Sequence, residues 1–215
     1  MPIVFISLNE TFNEKMKIYG YETKTMKIED YIPIRKTYYV SPANCFCFMD
    51  GGIDYALSRI VFPNIEQEVK EIVKALDIKT LLGRHYLPIG SSIIIDKGMK
   101  SLVVSPTMLL PQNVSSTSNA FYATMAVLYN ILINNKEDIN DVDIIFTSLC
   151  CGYGKMDEDV AVYQIVKGIN EYKNYTPIIN DINDIKIILK EPNLYEQPRY
   201  YQNSEFIPLT EFISV

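Results

Sequence analysis

The chain has 215 residues, of which 48% are hydrophobic and 21% are charged, a composition typical of a folded globular protein rather than a disordered one. Its formal net charge is −6 and its pI is near 4.9, which argues against a basic face that binds nucleic acid. No apolar run approaches the ~20 residues that a membrane-spanning helix needs, so we expect no membrane partner.

The beginning of the chain and its cysteines bear on its compartment. Met1 to Phe5 lack a basic segment and alternate like a strand, so we expect no signal peptide and a cytoplasmic location. The four cysteines form two close pairs, Cys45 with Cys47 and Cys150 with Cys151. This spacing is atypical of disulfides and of zinc sites. We therefore expect reduced thiols that fill apolar space, no metal and no cofactor.

The predicted elements alternate between strands and helices. In chain order, strands are predicted at 3–8, 25–28, 37–40, 93–95, 102–104, 142–147 and 185–189. Helices are predicted at 9–19, 63–76, 118–133 and 157–172, with a further helix after Gly51-Gly52. The strands are apolar along their length, which is typical of a sheet covered on both faces. We predict an α/β fold, a three-layer α/β/α sandwich, over 1–190, followed by a tail over 191–215.

Two loops that connect a strand to a helix are unusual. The first runs from Ser41-Pro42-Ala43-Asn44 to Gly51-Gly52, where glycine lets the backbone approach a ligand and a helix start offers free amides. The second contains Gly152-Tyr153-Gly154, in which the aromatic ring could cover a sugar or a base, and Lys155 could contact a phosphate. Ligands of such sheets lie beyond the carboxyl ends of strands, so both loops are candidates, although each alone is compatible with a plain turn.

Taken together, these residues resemble the macro domain family, which binds ADP-ribose or processes ADP-ribose 1″-phosphate. Ser41-Pro42-Ala43-Asn44, followed by Gly51-Gly52-Ile53-Asp54, is similar to the family signature NAAN…GGGGVD. Asp30 stands eleven residues before that block, where the family has an acid. The later runs 87–92, 104–107 and 119–123 resemble a bacterial, phage or viral branch, which would place the protein in the host cytoplasm if it is viral. The resemblance covers roughly residues 25–175 and implies a mixed central sheet.

The resemblance also implies roles for individual residues. Asp30 would accept a hydrogen bond from the adenine amino group, and Asn44, beside Ala43, would hold hydroxyls of the distal ribose. Asp54 would orient or activate a water near the ribose C1″. The remaining ligand-binding residues implied are the two diphosphate loops, Gly51, Gly52 and Ile53 on one side and Cys151, Gly152, Tyr153 and Gly154 on the other. The implied partner is ADP-ribose, free or attached to a protein.

The departures from the signature leave the activity open. Met49 and Asp50 replace loop glycines, and we expect the Asp50 carboxylate to face solvent. Ser58 stands where many hydrolytic members carry a histidine. His85, the only histidine, lies away from both loops in sequence, and we expect it to have a surface or hydrogen-bonding role. The sequence is thus compatible with an ADP-ribose reader, with a hydrolase acting at the distal ribose, and with a degenerate interaction module that binds no nucleotide.

Overall fold

The structure is a computed structural model that describes residues 2–80, 83–134 and 140–173. Its strands are β1 (Ile3–Ile6), β2 (Glu22–Lys24), β3 (Thr37–Ser41), β4 (Ile93–Lys97), β5 (Lys100–Val104) and β6 (Asp143–Phe146). Its α-helices are α1 (Glu10–Ile18), α2 (Gly52–Ala56), α3 (Ile65–Ala75), α4 (Asn119–Asn134) and α5 (Glu158–Lys173). A 3₁₀ turn occupies Ile28–Asp30, and a π-helical turn, Leu57–Val61, continues α2.

The six strands form one mixed sheet in the order β2-β1-β6-β3-β5-β4. The pairs β1–β2, β1–β6, β3–β6 and β3–β5 are parallel, and only β4 runs antiparallel to its neighbour β5. Four adjacent strands, β1, β6, β3 and β5, therefore end at the same edge. The loops that leave these strands must meet there, which positions the candidate site.

Both faces of the sheet are buried, as the apolar strands predict. On one face, Ile3 and Phe5 of β1 pack in a cluster with residues of α1, α4 and α5. On the other face, Val4 and Ile6 pack with α3 and with the helical segment that begins at α2. Successive residues of a strand point to opposite faces, so a strand covered by helices on both sides is apolar throughout. The predicted α/β/α sandwich with a mixed sheet is confirmed.

The second strand was predicted wrongly at 25–28. The structure places β2 at Glu22–Lys24, in parallel register with β1, and residues 28–30 form the 3₁₀ turn. The strand is short, polar and at the edge of the sheet, so it lacks the apolar signal by which buried strands are recognised. The other helices and strands within the described residues agree with the prediction to within a few residues, and Asn9 caps α1 by accepting a hydrogen bond from the Phe12 amide.

Two further predictions concern the end of the chain and membrane-spanning helices. The strand predicted at 185–189 and the tail at 191–215 lie outside the described residues. Within the described ranges, none of the helices is at once long and apolar enough to span a bilayer.

Candidate functional site

Two adjoining cavities open at the carboxyl edge of the sheet. The first, of about 380 Å³, is lined by the loops after β3, β5 and β6. The second, of about 450 Å³, is lined by the loops after β1 and β6, by residues 26–29, and by α2. Gly52, Ile53, Ser148 and Gly152 line both cavities, so the two volumes meet between α2 and the loop after β6. Each volume lies within the range of about 300–1,000 Å³ that is usual for small-molecule pockets.

Asn44 fixes the loop after β3. Its side-chain Nδ2 donates to the Phe48 carbonyl at 2.9 Å, and its Oδ1 accepts from the Phe46 amide at 3.1 Å and from the Phe48 amide at 3.4 Å. The side chain is buried and lines the first cavity. An amide that organises a tight turn in this way is held rigidly, so Asn44 keeps a fixed position at the wall of the cavity.

A second set of contacts holds the same loop against α3. Glu66 accepts hydrogen bonds from the Met49 amide at 3.4 Å, from Arg59 at 3.0 Å and from Lys70 at 2.7 Å. The buried Ser58 hydroxyl donates to the Met49 carbonyl at 3.0 Å. Ser58, which stands where a histidine was expected in hydrolytic relatives, does not line either cavity and holds the loop instead.

The loop after β6 approaches the first loop closely. A Cβ atom added to Gly51 would lie 3.7 Å from Cε2 of Tyr153, so the Tyr153 ring faces the Gly51 backbone. Gly154 admits no side chain, because a Cβ atom there would lie 2.3 Å from the Cys150 carbonyl oxygen. Gly51 therefore admits the Tyr153 ring against the first loop, and Gly154 allows the second loop to fold tightly on itself.

The backbone at this junction also carries unpaired donors. Gly52, with φ +56°, Ile53 and Asp54 form the first turn of α2, where amides have no acceptor within the helix. Such amides can hydrogen-bond an anion without any basic side chain.

Asp54 is a buried carboxyl group at the floor of the first cavity. The pKa of Asp54 is raised to about 7, chiefly by burial; the Ser41 hydrogen bond opposes this rise, and the neighbouring carboxylates of Asp50 and Glu66 add to it. Ser41 donates its hydroxyl to Oδ1 of Asp54. A carboxyl group that titrates near neutral pH can take up or release a proton, which is the property required of a general acid or base.

The structure brings most of the sequence-predicted residues together. The first cavity is lined by Asn44, Gly51, Gly52, Ile53, Asp54, Gly152, Tyr153 and Gly154. Cys151 lines the second cavity. Ala43 lies in the core, where its carbonyl accepts from the Thr107 amide at 2.9 Å, and it lines neither cavity. Asp30 is exposed and also lines neither, whereas the preceding Glu29 lines the second cavity.

Two further expectations, for Asp50 and His85, agree with the structure, whereas three sets of cavity-lining residues were not anticipated. The exposed Asp50 lies at the rim of the first cavity, at the edge of solvent as expected. His85 lies outside both cavities and hydrogen-bonds Asp77 through Nε2 at 2.9 Å, in agreement with a surface role. Sequence reasoning missed Glu29, Thr107 and the Ser7-Leu8-Asn9 loop, all of which line the cavities. The signal that could have found Ser7-Leu8-Asn9 and Thr107 is their position directly after the parallel strands β1 and β5.

The four cysteines are free thiols near these loops. Cys45, Cys47 and Cys150 are buried, and burial raises the pKa of each thiol to about 12. They are therefore protonated at neutral pH and pack as small apolar groups. In the ranges that the structure describes, no three His, Cys, Asp or Glu side chains are grouped as a metal site would require.

The raised pKa of Asp54 predicts that the difference in unfolding free energy between wild type and Asp54→Asn depends on pH. Above pH ~4 the unfolded state has released the Asp54 proton, whereas the folded state keeps it until the pH nears 7. The free energy of unfolding therefore falls as pH rises from ~4 through the folded pKa of about 7. Asp54→Asn removes this loss. Urea unfolding at pH 5, 6.5 and 8 should show the variant gaining stability relative to wild type with rising pH, by on the order of a few kcal/mol.

The matched control is Asp30→Asn, an exposed carboxylate outside both cavities. Its unfolding free energy should follow that of wild type at a constant offset across the three pH values. Parallel curves for Asp54→Asn and wild type would show that Asp54 is not a buried proton-holding group.

Comparison with known proteins identifies the fold. The sequence matches no protein-family model and no curated protein. Similar solved structures include the Oceanobacillus iheyensis macrodomain with MES bound, at a TM-score of 0.52 and 14% identity, covering 70% of this chain and 75% of that one. A point variant of the same macrodomain with ADP-ribose has a TM-score of 0.49 at 16% identity, with 67% and 73% coverage. The macrodomain of Mycobacterium tuberculosis DarG has a TM-score of 0.47 at 18% identity, with 62% and 81% coverage. The chain has the fold of the macrodomains.

Proposed function

We propose that the chain is a member of the macro domain family and that it binds ADP-ribose, free or attached to a protein. The diphosphate would lie at the junction of the two cavities, between the first turn of α2 and Gly152. The distal ribose would occupy the first cavity beside Asn44 and Tyr153, and the adenosine would occupy the second. A cytoplasmic location and a bacterial, phage or viral branch stay predictions from the sequence.

The observation that carries this proposal is the meeting of the two loops. The signature residues Gly51-Gly52-Ile53 and the residues Gly152-Tyr153-Gly154 are about 100 positions apart in sequence, yet Gly51 lies against the Tyr153 ring. Two glycine-containing loops that lay on different sides of the molecule could not hold one diphosphate. Their junction is continuous with a cavity on each side, as a ligand with a sugar at one end and a nucleoside at the other requires.

The electrostatics of the junction suit a diphosphate held by main chain. No Lys, Arg or His side chain lines the first cavity within the described residues, and Lys27 is the basic side chain that lines the second. Phosphate oxygens placed here would instead meet the free amides of the α2 first turn and of the loop after β6. This mode of binding agrees with an acidic protein of net charge −6.

The adenosine end of the proposed pose involves an acid of the 3₁₀ turn. The family resemblance assigns contact with the adenine amino group to Asp30. Because Glu29 lines the second cavity and Asp30 does not, we propose that Glu29 fulfils this role in this chain.

Substitution of Gly52 tests the diphosphate site directly. Gly52→Glu places a carboxylate at the junction and should abolish a 1:1 complex with ADP-ribose in isothermal titration calorimetry, through like-charge repulsion and occlusion. The control is Gly98→Glu, because both glycines have positive φ, +56° and +74°, and a Cβ atom at either meets nothing within 4 Å. The control should bind as wild type does. An absence of binding heat with the wild-type chain would refute the proposal, as would equal binding by the two variants.

Asp54 favours a second activity, hydrolysis at the distal ribose. A carboxyl group with a pKa of about 7 lies in the cavity proposed for the ribose, and a group poised near the working pH is suited to activate water. The two loops would supply the anchoring that keeps the ribose carbon near such a water. The bond broken would be the one joining C1″ to a protein side chain or to a phosphate.

A gel assay on mono-ADP-ribosylated protein separates a reader from a hydrolase. If Asp54 activates water, wild type should release the label, while Asp54→Asn should slow release by about 100-fold or more and still bind ADP-ribose. Asn44→Ala should weaken both steps, because Asn44 holds the loop as well as the ribose. Release at equal rates by wild type and Asp54→Asn would exclude this role. Binding without any release would assign the chain to the readers.

The degenerate interaction module is the third possibility, and the cavities oppose it. A pocket that had lost its ligand would be expected to fill with side chains, whereas volumes of about 380 and 450 Å³ are open on either side of the junction. Cys45 and Cys47 are buried and line neither cavity, and the buried Cys150 lines the first cavity without closing it.

A further inference from the structure

A third cavity lies between α4 and the residues that lead into β4. Its volume is about 390 Å³, and it shares no lining residue with the two cavities at the carboxyl edge of the sheet. One wall is formed by α4 residues that are spaced three or four positions apart and so lie on one face of the helix. These residues are Tyr122, Met125, Tyr129 and Ile133. The opposite wall is formed by residues 90–92, so the cavity is a groove along the outer side of α4.

Hydrogen bonds hold the two walls of this α4 groove together. The Ser92 hydroxyl donates to the Ala126 carbonyl at 2.8 Å, and Nδ2 of Asn130 donates to the Ser92 carbonyl at 2.7 Å. A groove whose walls are fixed in this way does not have to be reshaped before it is occupied, which lowers the cost of binding.

The lining of the α4 groove suits an apolar occupant. No Asp, Glu, Lys, Arg or His side chain lines it among the residues that the structure describes. Tyr122, Met125 and Tyr129 are half-buried, and Ile133 is 73% exposed although isoleucine is among the residues most often buried. Apolar side chains grouped on a surface mark a place that another molecule or chain segment covers.

The described part of the chain ends beside the same groove. The helix α5 ends at Lys173, and the ring of Tyr172 packs edge-on against the ring of Tyr129, with the two centroids 6.4 Å apart. Residues 174–215 follow in the sequence. Because this continuation is tethered next to the groove, its effective concentration there exceeds that of a free partner.

The first part of the continuation has the composition that the groove requires. Of the twelve residues from 178 to 189, seven are isoleucine or leucine. They include the run 185–189, for which the sequence predicts a strand. Apolar side chains at this density need a surface against which they can be removed from water.

We propose that residues 178–189 bind in the α4 groove of the same chain, with their isoleucine side chains against Tyr129 and Ile133. The segment thereby covers the apolar face that α4 leaves open. This interaction lies away from the proposed ADP-ribose site and does not depend on it.

Photo-cross-linking of the full chain tests the contact directly. With p-benzoylphenylalanine in place of Ile133, cross-links located by mass spectrometry should fall on residues 178–189 of the same chain. The matched control carries the photoreactive residue in place of Ile18, because both isoleucines lie in the last turn of an α-helix and are 73% and 82% exposed. The control should give no cross-link to residues 178–189.

Limited proteolysis of the full chain gives a second measurement. Trypsin cleaves after lysine, and Lys186 and Lys190 lie within and directly after the run 185–189. Ile133→Asp places a charge in the groove and should speed cleavage at these two sites at least about tenfold, because the protease cuts the segment when it has left the groove. Ile18→Asp makes the same change at the end of α1 and should leave the cleavage rate as in wild type.

Three results would overturn the proposal. Cross-links from position 133 that join two chains would show that a second copy covers the groove. No cross-link from position 133 to residues 178–189, or an equal yield from position 18, would show that the segment does not bind there. Equal cleavage rates at Lys186 and Lys190 in the two aspartate variants would show that Ile133 does not hold the segment.

Discussion

The convergence of parallel strand ends at one edge of the sheet is the constraint on which the site depends. Four neighbouring strands, β1, β6, β3 and β5, run in the same direction. The loops that follow them therefore lie next to one another. The loop after β3 brings Gly51-Gly52 to the start of α2, and the loop after β6 brings Gly152 and Gly154 beside it. The sheet order, rather than any single side chain, creates the pair of cavities.

The site handles charge in an unusual way for an acidic protein that is proposed to bind an anion. In the proposed pose, attraction comes from main-chain amides, whose positions are fixed by the fold, while the charged side chains that line the first cavity, within the described residues, are both carboxyl groups. Burial, more than the neighbouring carboxylates, raises the pKa of Asp54 to about 7. The cavity proposed for the ribose therefore contains a buried carboxyl group that can take up or release a proton near neutral pH.

Much of the fold and of the candidate site could be predicted from the sequence, for identifiable reasons. The apolar strands and the helix caps leave local patterns that indicated the fold class, and the two glycine-containing loops, together with the family resemblance, indicated eight of the residues that line the first cavity. The β2 strand was misplaced because Glu22-Thr23-Lys24 is polar and lies at the sheet edge. The sequence pointed to Asp30 and not to Glu29, which lines the second cavity. Successive residues of a 3₁₀ turn point about 120° apart, so spacing along the chain does not reveal which side chain faces a cavity. The Glu66 contacts with Met49, Arg59 and Lys70 depend on packing between separate elements, which no local pattern reports.

The most direct test of the account is a crystal structure of the chain soaked with ADP-ribose. The account predicts diphosphate oxygens within hydrogen-bonding distance, about 2.7–3.2 Å, of amides in the first turn of α2 and in the Gly152–Gly154 segment, with no Lys or Arg contact. The adenine amino group should lie beside the Glu29 carboxylate, and C1″ should lie in the cavity that holds Asp54. A diphosphate bound by basic side chains, or a ligand bound away from the edge where β3 and β6 end, would contradict it.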